Sequence, residues 1–275
     1  MKRGFFAAGP VLAIAWLAGC VDGGFGPAVR ESVSQTRPMS PTGRLSLENT
    51  NGSVHVGTWD EPRVRIDATK TAATRQALER LEVAIDGEGD RIAIRTRQPH
   101  GGFFLHRAAG VEYSVTVPRG ARVSVRNVNG KVEIEGVMGP VQASTVNGSI
   151  EANDLGGEIE ASTTNGSVEV EMARVDPSGH NRLSTTNGSV RLVLPRDVGA
   201  DVEAHTVNGA VHCEFDLAAD TRVSRRSIEG RIGSGGARFE LRTVNGSTHI
   251  ERGLATASAT ASQPRAEATP AAEVH

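Results

Sequence analysis

The stretch STTNGSVEVE, residues 162–171, places Asn165 and Gly166 between two runs in which apolar and polar residues alternate. Asn-Gly between such runs is the strongest short-range signal for a tight turn that joins two strands. Very similar words recur along the chain as STVNGSIEA, STTNGSVRL, HTVNGAVHC and RTVNGSTHI. A turn that returns at nearly constant spacing predicts a series of stacked units rather than one hairpin.

The repeat also carries matched apolar positions. An apolar residue usually stands three and five places after the turn residue, as Val168 and Val170 do after Asn165. Spacing of two is the alternation of a β-strand, so these side chains should face a common interior. A further copy of the word lies at Asn51. The main series of turn residues, 16 to 22 positions apart, is Asn129, Asn147, Asn165, Asn187, Asn208, Glu229 and Asn245.

These features predict an all-β chain that coils into a parallel solenoid of about seven to eight short rungs. Asparagine should stack on asparagine and valine on valine, because neighbouring strands lie about 4.8 Å apart. Asparagine tolerates left-handed backbone at a corner, and glycine, which has no Cβ, follows it there. An antiparallel meander of hairpins stays open as an alternative, since the pattern alone does not fix strand direction.

The N-terminus carries a targeting signal. Lys2 and Arg3 precede an apolar run that is too short for a membrane span and ends in LAGC at Cys20. This ending resembles the lipobox of bacterial lipoproteins, which implies cleavage before Cys20 and lipidation of that cysteine. A secretory peptide with a chance cysteine is the alternative. Val21 after the cysteine favours the outer membrane, so we expect a lipid-anchored protein of the bacterial cell envelope, facing the periplasm or the cell surface.

Composition divides the rest of the chain. We expect a signal peptide over 1–19, a tether over 20–43, an N-terminal strand-rich cap with a short helix over 44–118, solenoid repeats over 119–253 and a disordered tail over 254–275. Within the cap, TAATRQALERL has the spacing of a helix, and a pair of strands is expected around DGEGD. The formal net charge is -2, which gives no reason to expect nucleic acid as a partner. If Cys20 is lipidated, Cys213 has no disulfide partner, and we expect it to be buried.

Histidines and glutamates are the residues that could carry chemistry. The eight histidines show no metal-binding spacing, and stacking in sequence order would separate His212 from His249 by two rungs. Glu133, Glu151 and Glu169 should form an acidic stripe on the outer surface. We interpret that stripe as a solvated face, with a carbohydrate-active enzyme as the alternative. We therefore predict no catalytic residue, metal or cofactor.

A loop around GGFFLH presents Phe103, Phe104 and Leu105, which we expect either to cover one end of the solenoid or to contact a partner. The words VPRGARVSVRNVNGKVEIEG and NGSVHVGTWDEPRVRIDATK, together with the VNGSI and TNGSV repeats, resemble a bacterial family of β-strand-repeat candidate adhesins, a domain of unknown function. The resemblance spans about Gly43 to Gly253. It implies a right-handed parallel β-helix-like fold in the cell envelope, with no established catalytic residue.

These observations together predict a non-catalytic, adhesin-like binding or scaffold protein, held at the membrane by its lipid. An envelope protein or a glycan is the expected partner, and the sequence does not indicate an oligomeric state. An accessory subunit of an envelope signalling or assembly system is the main alternative.

Overall fold

The computed structural model describes residues 13–15, 28–97, 109–218 and 221–253. These residues form β-strands and one short helix, α1 Arg75–Glu79. The strands of the N-terminal part are β1 Ala13–Ala15, β2 Val29–Glu48, β3 Val54–Trp59, β4 Arg63–Ala72, β5 Glu82–Asp86, β6 Gly89–Arg97 and β7 Gly110–Pro118. The repeats contribute β8 Arg122–Arg126, β9 Val132–Glu135, β10 Val141–Asn147, β11 Ile150–Leu155, β12 Ile159–Asn165, β13 Val168–Met172, β14 His180–Asn187, β15 Val190–Leu194, β16 Ala200–Asn208, β17 Val211–Cys213, β18 Arg222–Val223, β19 Ser227–Ile232, β20 Ala237–Asn245 and β21 Thr248–Arg252.

Alternation of apolar and polar residues decides which side of each strand is buried. In β13, Val168 and Val170 are fully buried, whereas Glu169 and Glu171 point outward. Most inward positions of the other repeats are also buried, and they join one hydrophobic core that runs through the stack. Phe239 is the bulkiest of the fully buried side chains. The all-β, solenoid-like fold therefore follows from the period-two pattern of the sequence.

The two strands of each repeat lie in different faces of the coil. Strand β12 pairs in parallel with β10 and β14, and β13 pairs in parallel with β11 and β15. Parallel pairing between repeats excludes the antiparallel meander. Face A has the strand order β1-β2-β4-β7-β3-β9-β11-β13-β15-β21-β17. Face B has the order β5-β6-β2-β8-β10-β12-β14-β20-β16-β19-β18.

The long strand β2 makes the two faces one continuous sheet. Its residues 29–38 pair antiparallel with β4 in face A, and its residues 44–48 pair in parallel with β6 and β8 in face B. The predicted tether over 20–43 is therefore wrong from Val29 onward. The segment 29–38 lacks a strong apolar period, but the partner strand β4 supplies its backbone hydrogen bonds, and this pairing cannot be seen in the segment itself.

The C-terminal repeat is intercalated. Strand β20 lies between β14 and β16, and β21 lies between β15 and β17, so the last repeat of the sequence is not the last rung of the stack. Buried Asn181 on β14 contributes to this arrangement. Its Oδ1 accepts from the Ile159 backbone N–H at 3.1 Å, and its Nδ2 donates to the Arg238 carbonyl of β20 at 3.4 Å. Stacking in sequence order, as the spacing suggested, is wrong here.

The segment SIEGRI around Glu229 does not form a rung of the solenoid. Strand β19 pairs antiparallel with β16 and with the two-residue strand β18, and it covers the outer edge of face B. Val223 on β18 is 66% exposed. This copy lacks the Asn-Gly turn, and it forms an edge hairpin instead of a rung. The hairpin ends the parallel stack on face B.

The N-terminal part stacks against the repeats through the first copy of the corner. Asn51 pairs with Asn129 in a parallel bridge, and β3 pairs with β9. The expected strand pair around DGEGD is present as β5 and β6, which pair antiparallel. Helix α1 is shorter than the pattern suggested, with Thr74 as its N-cap and Leu78 buried. In the described ranges, no helix is long and apolar enough to cross a membrane.

Candidate functional site

A column of asparagine side chains runs along the corners of the stack. Asn147 Nδ2 donates to Asn129 Oδ1 at 2.8 Å, and Asn165 Nδ2 donates to Asn147 Oδ1 at the same distance. Each amide oxygen inside the column thus accepts from the next amide, so this column holds rungs together and leaves little capacity for a ligand. In spatial order its members are Asn51, Asn129, Asn147, Asn165, Asn187, Asn245 and Asn208.

The glycine after each asparagine lets neighbouring corners approach closely. A Cβ on Gly148 would lie well inside contact distance of the Gly130 carbonyl oxygen, and Gly166 would meet the Gly148 carbonyl in the same way. Gly166 also has a φ of 148°, which favours a residue without a side chain. Thr163 adds a hydrogen bond from its hydroxyl to the Gly148 carbonyl at 2.9 Å. The corners are therefore an architectural feature.

The glutamate stripe lies on the outer surface of face A. Glu151 is in register with Glu133 on one side and with Glu169 on the other. Lys131 lies against one end, with Nζ 2.6 Å from a Glu133 oxygen and 2.7 Å from a Glu151 oxygen. These two carboxylates raise the pKa of Lys131 above its ordinary value.

Arg191 occupies the other end of the stripe. Its guanidinium bonds both Glu169 and Glu251, and these two carboxylates raise its pKa above the ordinary value. The hydrogen bonds from Arg191 hold the pKa of Glu251 below its usual range. Glu133 and Glu151 both contact Lys131, and Glu169 contacts Arg191. The stripe is thus an ion-paired surface.

Two histidines lie closer together than sequence order suggested. Because β21 is intercalated, His249 is in register with His212, and their rings stack with centroids 5.2 Å apart. The expected separation by two rungs is therefore wrong. Within the described part of the chain, no group of three or more His, Cys, Asp or Glu side chains could hold a metal ion.

Cys213 follows the inward alternation of β17 but is only half-buried. Strand β17 is the outermost rung of face A, so the thiol is covered by β21 on one side only. Desolvation by burial nevertheless raises its pKa, and its Sγ lies 4.0 Å from the Phe215 carbonyl oxygen. Cys20 and the loop residues Phe103, Phe104 and Leu105 lie outside the described residues, so the predictions made for them stay predictions.

Three arginines that the sequence analysis did not single out lie side by side on the outer surface of face B. Arg44 on β2 is in register with Arg91 on β6 and with Arg122 on β8. We call this set the arginine column. The sequence contained a signal that Arg44 and Arg122 are neighbours, because each stands seven residues before a corner asparagine. Arg91 could not be found in this way, since its strand is not followed by an Asn-Gly corner.

Comparison with known proteins gives one family match. A family model described as Toastrack DUF4097 matches residues 44–251, which is most of the chain. Among curated proteins, none matches. Two solved structures are similar in fold. A candidate cell adhesion protein from Clostridium sporogenes has 13% identity and a TM-score of 0.48, covering 80% of this chain and 99% of its own. A candidate adhesin from Bacteroides fragilis has 9% identity and a TM-score of 0.41, covering 80% and 96%.

Proposed function

This chain belongs to the Toastrack DUF4097 family, and from that premise we propose that it is a non-catalytic, adhesin-like binding or scaffold protein of the bacterial cell envelope. The observation that carries the proposal is that the outer surface is extended and that its row of glutamates is ion-paired. The stacked core presents two extended faces, and the carboxylates of the stripe on face A are held by Lys131 and Arg191. Repetitive stacked folds use such extended surfaces for binding.

The solenoid is proposed to be right-handed, with about seven to eight rungs. In the regular repeats a face B strand reaches the next parallel strand of that face through a strand of face A, as β10 reaches β12 through β11 and β12 reaches β14 through β13. Connections between parallel strands of one sheet are almost always right-handed, because the twist of the strands favours that hand. This general rule and the family resemblance support the assignment.

We propose that Cys20 carries the lipid that anchors the protein, with the outer membrane as the favoured location; cleavage before Cys20 then removes β1 together with the signal peptide. The support is the LAGC ending behind Lys2 and Arg3, together with Val21. Strand β2 begins at Val29, nine residues after Cys20, and nine extended residues span at most about 30 Å. The fold would therefore sit close to the membrane surface, where one face can meet envelope components.

Fractionation and mass spectrometry test the anchor. Wild-type protein should be in the membrane fraction with a lipidated Cys20 at its mature N-terminus, and Cys20→Ser should give an unprocessed or soluble product. Detection of an unmodified mature N-terminus at another residue of the wild type would refute the anchor. Chemical crosslinking in intact cells, followed by purification of this chain, should then recover envelope proteins or glycans.

The non-catalytic assignment has its own test. Replacing Glu133, Glu151 and Glu169 together by glutamine should change the free energy of unfolding little, because exposed charges contribute about 0–1 kcal/mol each. A glycan-degrading activity of the wild-type protein that disappears in this triple variant would refute the proposal and favour the carbohydrate-active alternative.

A further inference from the structure

The arginine column on face B places three like charges on adjacent hydrogen-bonded strands. Arg44 is the central member, with Arg91 and Arg122 directly beside it, and all three side chains are exposed. Neighbouring strands are only about 4.8 Å apart, and like charges directly opposite each other are destabilising. The three arginines therefore repel one another, and an acidic residue at the central position would have removed this repulsion.

The arginines of the column, Arg44, Arg91 and Arg122, have no ion-pair partner among the described residues. Glu48 lies four residues after Arg44 on the same strand, and its carboxylate is 3.4 Å from Arg95. Arg126, in register with Glu48, likewise has no ion pair there and adds a fourth unpaired cation.

Other arginines on the same face are arranged differently. Arg182 is bonded to Glu240 at 2.9 Å, Arg238 to Glu203 at 3.0 Å, and Arg231 lies 3.5 Å from Asp201. These pairs lie at the opposite end of face B, on strands β14, β20, β16 and β19. The arginines of these three pairs are neutralised, whereas Arg44, Arg91 and Arg122 have no ion pair in the described part of the chain.

Two members of the column border an open cavity of about 510 Å³. Arg44, Arg122 and Arg126 line it together with Ser46 and Ser124, and it is also lined by the carboxylates Glu158 and Glu160. Guanidinium groups bind carboxylates and phosphates through two parallel hydrogen bonds, and hydroxyl groups suit the hydroxyls of sugars. The exposed large apolar side chains, Val128, Val146, Val207, Val223 and Val244, do not border this cavity.

We propose that the arginine column is a binding site for a linear anionic glycan, a sugar chain that carries carboxylate or phosphate groups. The row of cations along the stacking axis fits a chain of regularly spaced anions, and the adjoining hydroxyls fit its sugars. A membrane surface suits the site less well, because surface-bound elements usually combine cations with exposed apolar side chains. The inference names a ligand class for the proposed binding role and rests on it.

Binding measurements on the full-length protein, purified in detergent, test the site. The probes are polygalacturonate, which carries carboxylates, a phosphomannan, which carries phosphates, and neutral dextran. We expect binding to at least one anionic glycan and none to dextran. The double variant Arg44→Gln/Arg122→Gln should weaken binding at least tenfold and reduce its dependence on salt. The control Arg182→Gln/Arg238→Gln removes two cations from the paired end of the same face and should bind like wild type.

A melting experiment separates binding from folding. Because the column repels itself, Arg44→Gln/Arg122→Gln should melt at the same temperature as wild type or higher. Failure of both glycans to bind, or an equal loss in the control variant, would overturn the inference. Column-dependent binding of phosphatidylglycerol vesicles or of a DNA duplex in place of the glycans would overturn the ligand class. None of these outcomes bears on lipidation of Cys20 or on crosslinking in cells, so the proposed function can survive the loss of this site.

Discussion

Val168 tests the inward register of the whole stack, because it lies in a central rung. Its side chain is fully buried and is in register with Ile150 on β11 and Val190 on β15, which are also fully buried. Val168→Ala removes two methyl groups, each worth about 0.8 kcal/mol of burial, or about 1.6 kcal/mol together. Fixed neighbours on both sides hinder collapse of the cavity, so the total loss should reach about 2–3 kcal/mol.

Glu169→Ala is the matched control. The Glu169 side chain is 39% exposed and pairs with Arg191, which keeps Glu251 as a partner after the change. An exposed pair of this kind contributes less than about 1 kcal/mol. Urea denaturation followed by far-UV circular dichroism should lower the midpoint clearly for Val168→Ala and little for Glu169→Ala, with the same slope in both. Equal losses at the two positions would refute the inward register and the stacked core with it.

Two further predictions concern one buried phenol and the intercalated rung. Tyr113, the single tyrosine of the chain, is buried, and desolvation raises its pKa to about 12. Ultraviolet absorbance should therefore show its ionisation near pH 12 in the native protein and near pH 10 in urea, and a native step near pH 10 would contradict its burial. Since the folded pKa is raised, the stability that Tyr113 contributes is fully present below pH 10 and is lost as pH rises through 12, and Tyr113→Phe should abolish that loss. Phe239→Ala should cost about 3–5 kcal/mol in a thermal or urea melt, because β20 is an interior strand, whereas Val223→Ala on the edge hairpin should be nearly neutral. A loss at Phe239 no larger than at Val223 would show that the last repeat is not intercalated.

Local features of the fold could be predicted from the sequence. The alternation around Val168 and Val170 predicted their burial, and the turn residues DGEGD predicted the hairpin of β5 and β6. Such features depend on residues that are close in the chain, because alternation and turn chemistry act over two to five positions. The outer position of Glu169 follows from the same alternation. The second ion pair of its partner Arg191 does not, because Glu251 lies in a distant repeat.

Pairing between strands that are distant in the sequence decided the order of the rungs and the position of the arginine column. The corners at Asn187, Asn208 and Asn245 have nearly the same local sequence. The sequence of one repeat therefore does not determine which other repeat stacks on it. Contacts between distant strands determine it, among them the bond from Asn181 to the backbone of β20. The arginine column arises in the same way, because Arg91 and Arg44 are distant in sequence and meet only when β2 pairs with β6. The sequence by itself determined which side chains face the core, and the tertiary structure decided which rungs are neighbours, because register between parallel strands is set by contacts that no single repeat contains.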